Sequence, residues 1–363
     1  MAEREIRSLG VEAPGRPYIW SYREGDPGEG QFRVETLYTG LSAGTELTFL
    51  KGTNPYLAAR WDEPYAVFVP GEPGLAYPVP FLGYMEVGRV VETRSPAVRD
   101  GDVVAMTYGH KTGHTADAGS EFFLPLGDLD PILGIYVAQM GPIAANGLLH
   151  AAADLYGADV RDLGDGVRGR NVVVMGAGVV GLLTALLCRR FGAGAVLVAD
   201  PDPWRRQKVA ALGLEAIPEA GAWQTVKDLW SDGRARGADV VFQCRANGGS
   251  LQQALKLLRP QGTVIDLAFY QGGAEAVRLG EEFHHNGLAL RCAQIGRVPR
   301  GLDATWNRRR LARETLAFLR AEAEPIRTGL ITDIVPFDAA PDFLADLVRH
   351  RRAFVQVVFQ VSP

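Results

Sequence analysis

Between residues 167 and 297, short apolar runs alternate with longer segments of helical period. Residues 171–175, 195–199, 238–243, 262–269 and 288–294 read as strands. Residues 179–191, 204–212 and 251–258 read as the helices between them. Strands that are apolar throughout, rather than every second residue, are buried on both faces. The pattern therefore predicts an α/β region with a doubly wound parallel sheet. Residues 1–150 follow a different rhythm. Residues 31–38 alternate in period two, and residues 85–92 and 102–106 are short β-branched runs. Pro-Gly steps at 27–28, 70–71 and 73–74 punctuate this half, which reads as β-rich. Residues 54–80 read as a long loop carrying Tyr56, Trp61, Tyr65, Phe68 and Tyr77. These rings are expected either to wall a substrate pocket or to anchor the loop. Residues 305–323 predict an amphipathic, arginine-rich helix, and residues 353–361 a last strand.

Composition narrows the class. In 363 residues, 47% are apolar and 22% charged, enough apolar surface for a sizeable core rather than a disordered chain. Lys and Arg total 38 against 42 Asp and Glu, a net charge of −4, so no global field favours nucleic acid or an anionic membrane. The first residues lack the apolar stretch of an export signal, and the longest apolar run, 172–188, is too short to span a bilayer. A cytoplasmic protein is the expectation. The only cysteines, Cys188, Cys244 and Cys292, form no CxxC pair, which excludes a disulfide framework and any four-cysteine zinc site.

One motif carries chemistry. The strand at 171–175 runs directly into Gly176-Ala177-Gly178-Val179-Val180-Gly181. The first glycine permits a tight turn, the second a close approach to pyrophosphate, and the third close packing of helix on strand. Asp200 closes the next strand, 19 residues after Gly181. A carboxylate there accepts from a ribose hydroxyl and repels a 2′-phosphate, so NAD is favoured over NADP. Pro201 follows it, and Arg205 is expected along the adenosine or its phosphate. Ligands lie beyond the carboxyl ends of parallel strands, which adds Cys244, Arg245, Phe269 and Tyr270 to the cofactor-binding set.

The chain resembles the medium-chain dehydrogenase/reductase superfamily, the alcohol dehydrogenase and quinone reductase group. Residues 40–46 (GLSAGTE) resemble its G-I-C-G-T-D segment with one extra residue, and 83–88 (GYMEVG) resemble G-H-E-x-x-G. Residues 101–104 (GDVV), Gly141-Pro142, 257–262 (LLRPQG) and 330–340 follow in family order. The resemblance implies a GroES-like catalytic domain from residues 1–150 and 298–363, a Rossmann domain over 151–297, and a homodimer or homotetramer. It also exposes departures. The family's first catalytic zinc ligand is Ser42 here, its second is Tyr84, and the adjoining Glu is Met85. Residues 140–142 offer no third ligand, and 110–120 contain no structural-zinc cysteine. The implied branch is zinc-independent. Residues 283–286 (FHHN) and the ending resemble bacterial threonine dehydrogenase-related proteins within it.

Without zinc, charge developing on a substrate oxygen needs a hydrogen-bond donor. Tyr84 is the leading candidate, with Ser42 or Thr45 as a hydroxyl relay and Glu46 and His110 beside them. Each has a plainer alternative: Tyr84 as filler, Thr45 and Ser42 as turn residues, Glu46 as a helix N-terminal charge, and His110 and Lys111 as parts of a solvated loop. His110 and His114 lie in a Gly/Thr-rich loop, adjacent His284 and His285 would face opposite sides of a strand, and His150 reads as a core residue, so no metal site is expected. The expected activity is hydride transfer between NAD and a secondary alcohol or ketone, of polyol, sugar or cyclitol type. The alternatives are an NADPH-dependent quinone or enoyl reductase and a non-catalytic NAD-binding redox sensor.

Overall fold

The computed structural model describes residues 3–233, 235–350 and 352–362, with the backbone alone for Asp232. The chain divides into two compact units, residues 1–139 with 331–363, and residues 140–330.

The first unit opens with an antiparallel pair, β1 (Arg4–Ala13) and β2 (Arg16–Glu24), that the sequence pattern did not reveal. β3 (Gln31–Gly40) leads into α1 (Ala43–Lys51). Residues 54–80 are not wholly loop: β4 (Ala59–Asp62) and β5 (Val67–Pro70) form a hairpin. On it Phe68 meets Tyr56 and Trp61 edge-on, with ring centres 5.4 and 5.1 Å apart, so these aromatics anchor the loop. β6 (Glu86–Thr93), β7 (Val103–Met106), β8 (Gly113–Asp117) and β9 (Phe123–Pro125) follow. His114 therefore sits on a strand rather than in a loop.

The second unit begins with α2 (Met140–Tyr156), whose first turn contains Gly141 and Pro142. A six-stranded sheet follows: β10 (Asn171–Met175), α3 (Val179–Arg190), β11 (Ala195–Ala199), α4 (Pro203–Ala211), β12 (Glu215–Ile217) and α5 (Ala222–Leu229). A short pair, β13 (Ser231–Asp232) and β14 (Ala235–Arg236), precedes β15 (Ala238–Gln243), α6 (Gly248–Leu257), β16 (Leu258–Asp266) and β17 (Ala289–Cys292). The order β12-β11-β10-β15-β16-β17 is parallel throughout, and the direction of winding reverses between β10 and β15. That reversal is the ligand crevice of doubly wound sheets. The apolar strand runs explain the arrangement, since Val172, Val173, Val174, Val240, Val241 and Phe242 are all fully buried.

Two local expectations change here. β16 ends at Asp266, so Phe269 and Tyr270 lie beyond the strand rather than at its close. His284 and His285 lie in a helical turn, not on a strand, because residues 279–283 already wind into a short wide helix.

α7 (Arg308–Ala321) and α8 (Ala323–Leu330) complete the second unit. The compact units thus divide elsewhere than at the expected 150/151 and 297/298 boundaries. The reason is packing. α2 lies on α3 and β16, α7 lies on α2, and α8 reaches Leu212 after α4 through Gly329. β18 (Ile331–Pro336), α9 (Ala340–His350) and β19 (Gln356–Gln360) return to the first unit. There the sheet runs β18-β19-β3-β6-β7-β9, with β8 also paired to β3. No helix among the described residues is long and apolar enough to cross a membrane.

Candidate active site

In the first unit, the five proposed catalytic side chains converge. Ser42 is the N-cap of α1, yet its hydroxyl caps nothing. Instead Glu46, one turn on, folds back so that its Oε1 accepts the Ser42 backbone N–H at 2.8 Å. A carboxylate reaching back to a helix start satisfies a donor the helix cannot. The Ser42 hydroxyl is thereby released to hydrogen-bond the Tyr84 phenol. Tyr84 also donates to Thr45 Oγ1 at 3.1 Å, closing a cluster of three hydroxyls.

Behind this cluster lies a buried polar chain. The other oxygen of Glu46 meets His110 Nε2 at 2.6 Å. His110 Nδ1 meets Thr39 Oγ1 at 2.5 Å, and Thr39 donates to Glu86 Oε1 at 3.1 Å. Thr39 and Glu86 are cross-strand partners on β3 and β6, which sets that last bond. Glu46, Glu86, His110 and Thr39 are all essentially inaccessible to solvent. Gly83 makes room for them: its φ is +95°, and a Cβ there would lie 2.8 Å from His110 N and Nδ1 and 2.9 Å from Glu86 Oε1. Sequence reasoning missed Thr39 and Glu86. The available signal was an acidic residue set between Met85 and Val87 at the start of β6.

The charges follow from burial. Burial pushes the Tyr84 phenol up to about 12, and the Glu46 carboxylate adds to the effect. Burial alone raises the Glu86 carboxyl to about 7, and its Oε2 has no partner among the described residues. For His110, burial pulls toward neutrality, but Glu46 and then Glu86 outweigh it and raise the imidazole above its ordinary value. His110 is thus no solvated loop residue. Its neighbour Lys111 places its ammonium 4.4 Å from the centre of the Phe81 ring, and burial lowers its affinity for a proton. His114 turns elsewhere, to Glu121 Oε2 at 2.7 Å, so it forms no chelate with His110.

A catalytic zinc does not fit this donor set. The positions that resemble family ligands carry neutral hydroxyls bonded to one another rather than thiolate or imidazole. Among the described residues, no group of three His, Cys, Asp or Glu has metal-holding geometry.

The second unit carries the cofactor candidates. Gly176 has φ +97°, and Gly181 packs so tightly that a Cβ would come within 1.8 Å of Gly176 O. Gly178 is the N-cap of α3 with no side-chain cap, and Val179 and Val180 form the first turn, whose N–H groups lack helical partners. A pyrophosphate fits such a cradle. Asp200, at the end of β11, is buried and accepts from Ala177 N and Asp202 N, both at 2.8 Å. Pro201 lies between those bonds, and its carbonyl and that of Asp200 accept from Arg206. Arg205 Nη1 donates to Ala177 O at 3.1 Å, against the turn itself. Cys244, held protonated by burial, and Arg245 follow β15 directly. The Arg245 side chain turns to Glu219 Oε2 at 2.5 Å and Ser250 Oγ at 2.8 Å, leaving its backbone toward the loop, where Gly176 packs against its Cβ. Tyr270 OH accepts from Gln243 Nε2 at 3.3 Å, while Phe269 is exposed.

Residues 179–306 match the family model described as "Zinc-binding dehydrogenase". Over 343 residues, 93% of this chain and 94% of the relative, the chain is 23% identical to D-guloside 3-dehydrogenase of Escherichia coli K12. It is similar in fold to a zinc-binding dehydrogenase from Sinorhizobium meliloti 1021 bound to NADP (TM-score 0.69, 20% identity, 98% and 99% of the two chains). It is likewise similar to a structure from Escherichia coli CFT073, described as a short chain alcohol dehydrogenase complexed with NADH (TM-score 0.70, 17% identity, 98% and 99%). Together these show the fold of the alcohol dehydrogenases and an oxidoreductase.

Proposed function

We propose that the chain is a zinc-independent, NAD-dependent oxidoreductase that interconverts a secondary alcohol and its ketone on a polyol, sugar or glycoside. The observation that carries this reading is the hydroxyl cluster in which Ser42 and Tyr84, at the positions resembling zinc ligands, join Thr45. Bound nicotinamide would accept the hydride from the carbinol carbon, or return it to the carbonyl. For reduction Tyr84, protonated across the neutral range, would turn its one O–H from Thr45 to the substrate carbonyl oxygen. On oxidation the Tyr84 oxygen takes up the alcohol proton while its own proton passes to Ser42 or Thr45, whose hydroxyl proton is released in turn to water, so that each hydroxyl ends neutral and one proton leaves per hydride transferred. On reduction the same relay runs backwards. Such positioned proton transfer is worth about 10²–10⁴-fold in rate.

Asp200 supports NAD, because a buried carboxylate at the end of β11 disfavours a ribose 2′-phosphate. The full-length relative's action on a guloside supports a sugar-ring alcohol as substrate class. The test is a fluorescence titration with NADH and NADPH. NADH is expected to bind at least about tenfold tighter, the effect of one charge repulsion of about 1.4 kcal/mol. A preference for NADPH, with reduction of a conjugated C=C bond, would replace this reading by the reductase one.

A further inference from the structure

α2 carries a fully buried asparagine whose bonding is one-sided. Asn146 Nδ2 faces the carbonyls of Gln294 and Arg297, both at 3.1 Å, and that of Ala293 at 3.4 Å. Its Oδ1 has no partner among the described residues, so every polar bond the side chain makes goes to that one loop. One turn on, His150 Nε2 donates to Arg297 O at 3.1 Å. Residues three or four apart share a helix face, so the two side chains act as one clamp. Burial makes His150 harder to protonate, consistent with a neutral ring donating this bond. Between them, a Cβ on Gly147 would lie 2.9 Å from Leu267, so α2 presses directly on the residue after β16.

The clamped loop has a definite place. β17 ends at Cys292, and Ala293 N still bonds Asp266 O at 2.8 Å, at the carboxyl end of β16. Residues 293–297 therefore leave the sheet at its carboxyl edge. In the proposed site the adenosine side of the crevice is marked by Asp200, which directly follows β11, on one side of the reversal between β10 and β15. The other half of a dinucleotide must lie over β15, β16 and β17. At about 4.8 Å per strand, β17 is about 12 Å from the reversal, within reach of an extended cofactor. Within the loop, Gln294 Oε1 accepts from Gly296 N at 2.6 Å, giving it a fixed turn.

We infer that Asn146, with His150 in support, is a positioning residue that holds loop 293–297 in the shape that receives the nicotinamide half of the cofactor. The inference rests on the proposed dinucleotide site. An asparagine buried for packing alone would be replaceable at the cost of stability only. One that shapes a ligand wall selects between ligands that reach the wall and ligands that do not.

ADP-ribose makes that distinction, since it keeps the adenosine and pyrophosphate but lacks nicotinamide. Affinities of the 363-residue chain for NADH, by fluorescence, and ADP-ribose, by competition, are to be measured for wild type, Asn146→Ala and His150→Ala. Asn146→Ala is expected to weaken NADH about tenfold, the loss of one or two hydrogen bonds, and ADP-ribose less than twofold. His150→Ala, less buried and safer for folding, is expected to show the same selectivity at about threefold. Parallel loss of both ligands, or loss of neither, overturns the positioning role while leaving the cofactor reading intact. A wild-type protein that binds neither ligand overturns the cofactor reading and this inference with it.

Discussion

Tyr84 stands where a metal ligand stands in the proteins this sequence resembles, and its phenol is held between two hydroxyls instead. Tyr84→Phe removes the one group able both to donate to substrate oxygen and to pass a proton on. Turnover is expected to fall about 10²-fold or more with an unchanged melting temperature, and unchanged turnover would reassign the donor. The chain behind it titrates. The Glu86 carboxyl is raised from 4.5 to about 7 by burial, so the folded protein binds its proton more tightly than the unfolded chain does. The stability this brings is complete below about pH 4.5 and is lost as pH rises through about 7. His110, also raised, acts in the same direction. Stability of the wild type is thus expected to decline from pH 5 to pH 8, and Glu86→Gln to flatten the decline by on the order of 3 kcal/mol. Urea melts at three pH values decide, and a wild type that gains stability toward pH 8 would refute the assignment.

At the level of elements, the glycine turn between β10 and α3 shows that one motif contains two different demands. Gly181 meets the Gly176 carbonyl, so a Cβ 1.8 Å from that oxygen forces the helix off the strand. Gly181→Ala is expected to cost about 2–4 kcal/mol of stability, read as a lowered melting temperature. Gly178 is open, with its nearest neighbour, Arg205 Nη1, 3.7 Å from where a Cβ would stand. Gly178→Ala is expected to melt like the wild type yet weaken NADH binding about tenfold or more, because the methyl group occupies the path of the pyrophosphate. Equal behaviour of the two variants would mean that the turn serves packing alone. β10, β11, β15, β16, β17 and α3 were readable because their apolar runs and glycine punctuation are local. β1, β2, β8 and β9 were not, since their side chains alternate weakly and their ladders join distant segments.

At the scale of the whole chain, there are two compact units, one holding the glycine turn and the other the hydroxyl cluster. The proposed hydroxyl relay has no step that needs a metal ion. Dialysis against a strong zinc chelator is expected to leave turnover unchanged, and elemental analysis to find fewer than one zinc per chain. Activity lost to the chelator and restored by zinc would overturn the hydroxyl-relay reading. NADH is expected to raise the unfolding temperature, by mass action, in proportion to the logarithm of its concentration.

Residue order alone was enough for the parallel sheet, the glycine turn, the acidic residue after it, and the absence of thiol and imidazole at 42 and 84, because each is a short-range pattern. Folding decided the rest. Glu86 and Thr39 became partners only through the pairing of β3 with β6, 47 residues apart in sequence. Glu46 and His110, 64 apart, met only once α1 and the segment before β8 closed on one core. Asn146 acquired its loop 147 to 151 residues downstream. A polar side chain's role depends on what is buried beside it, and burial is a property of the packed whole rather than of neighbours along the chain.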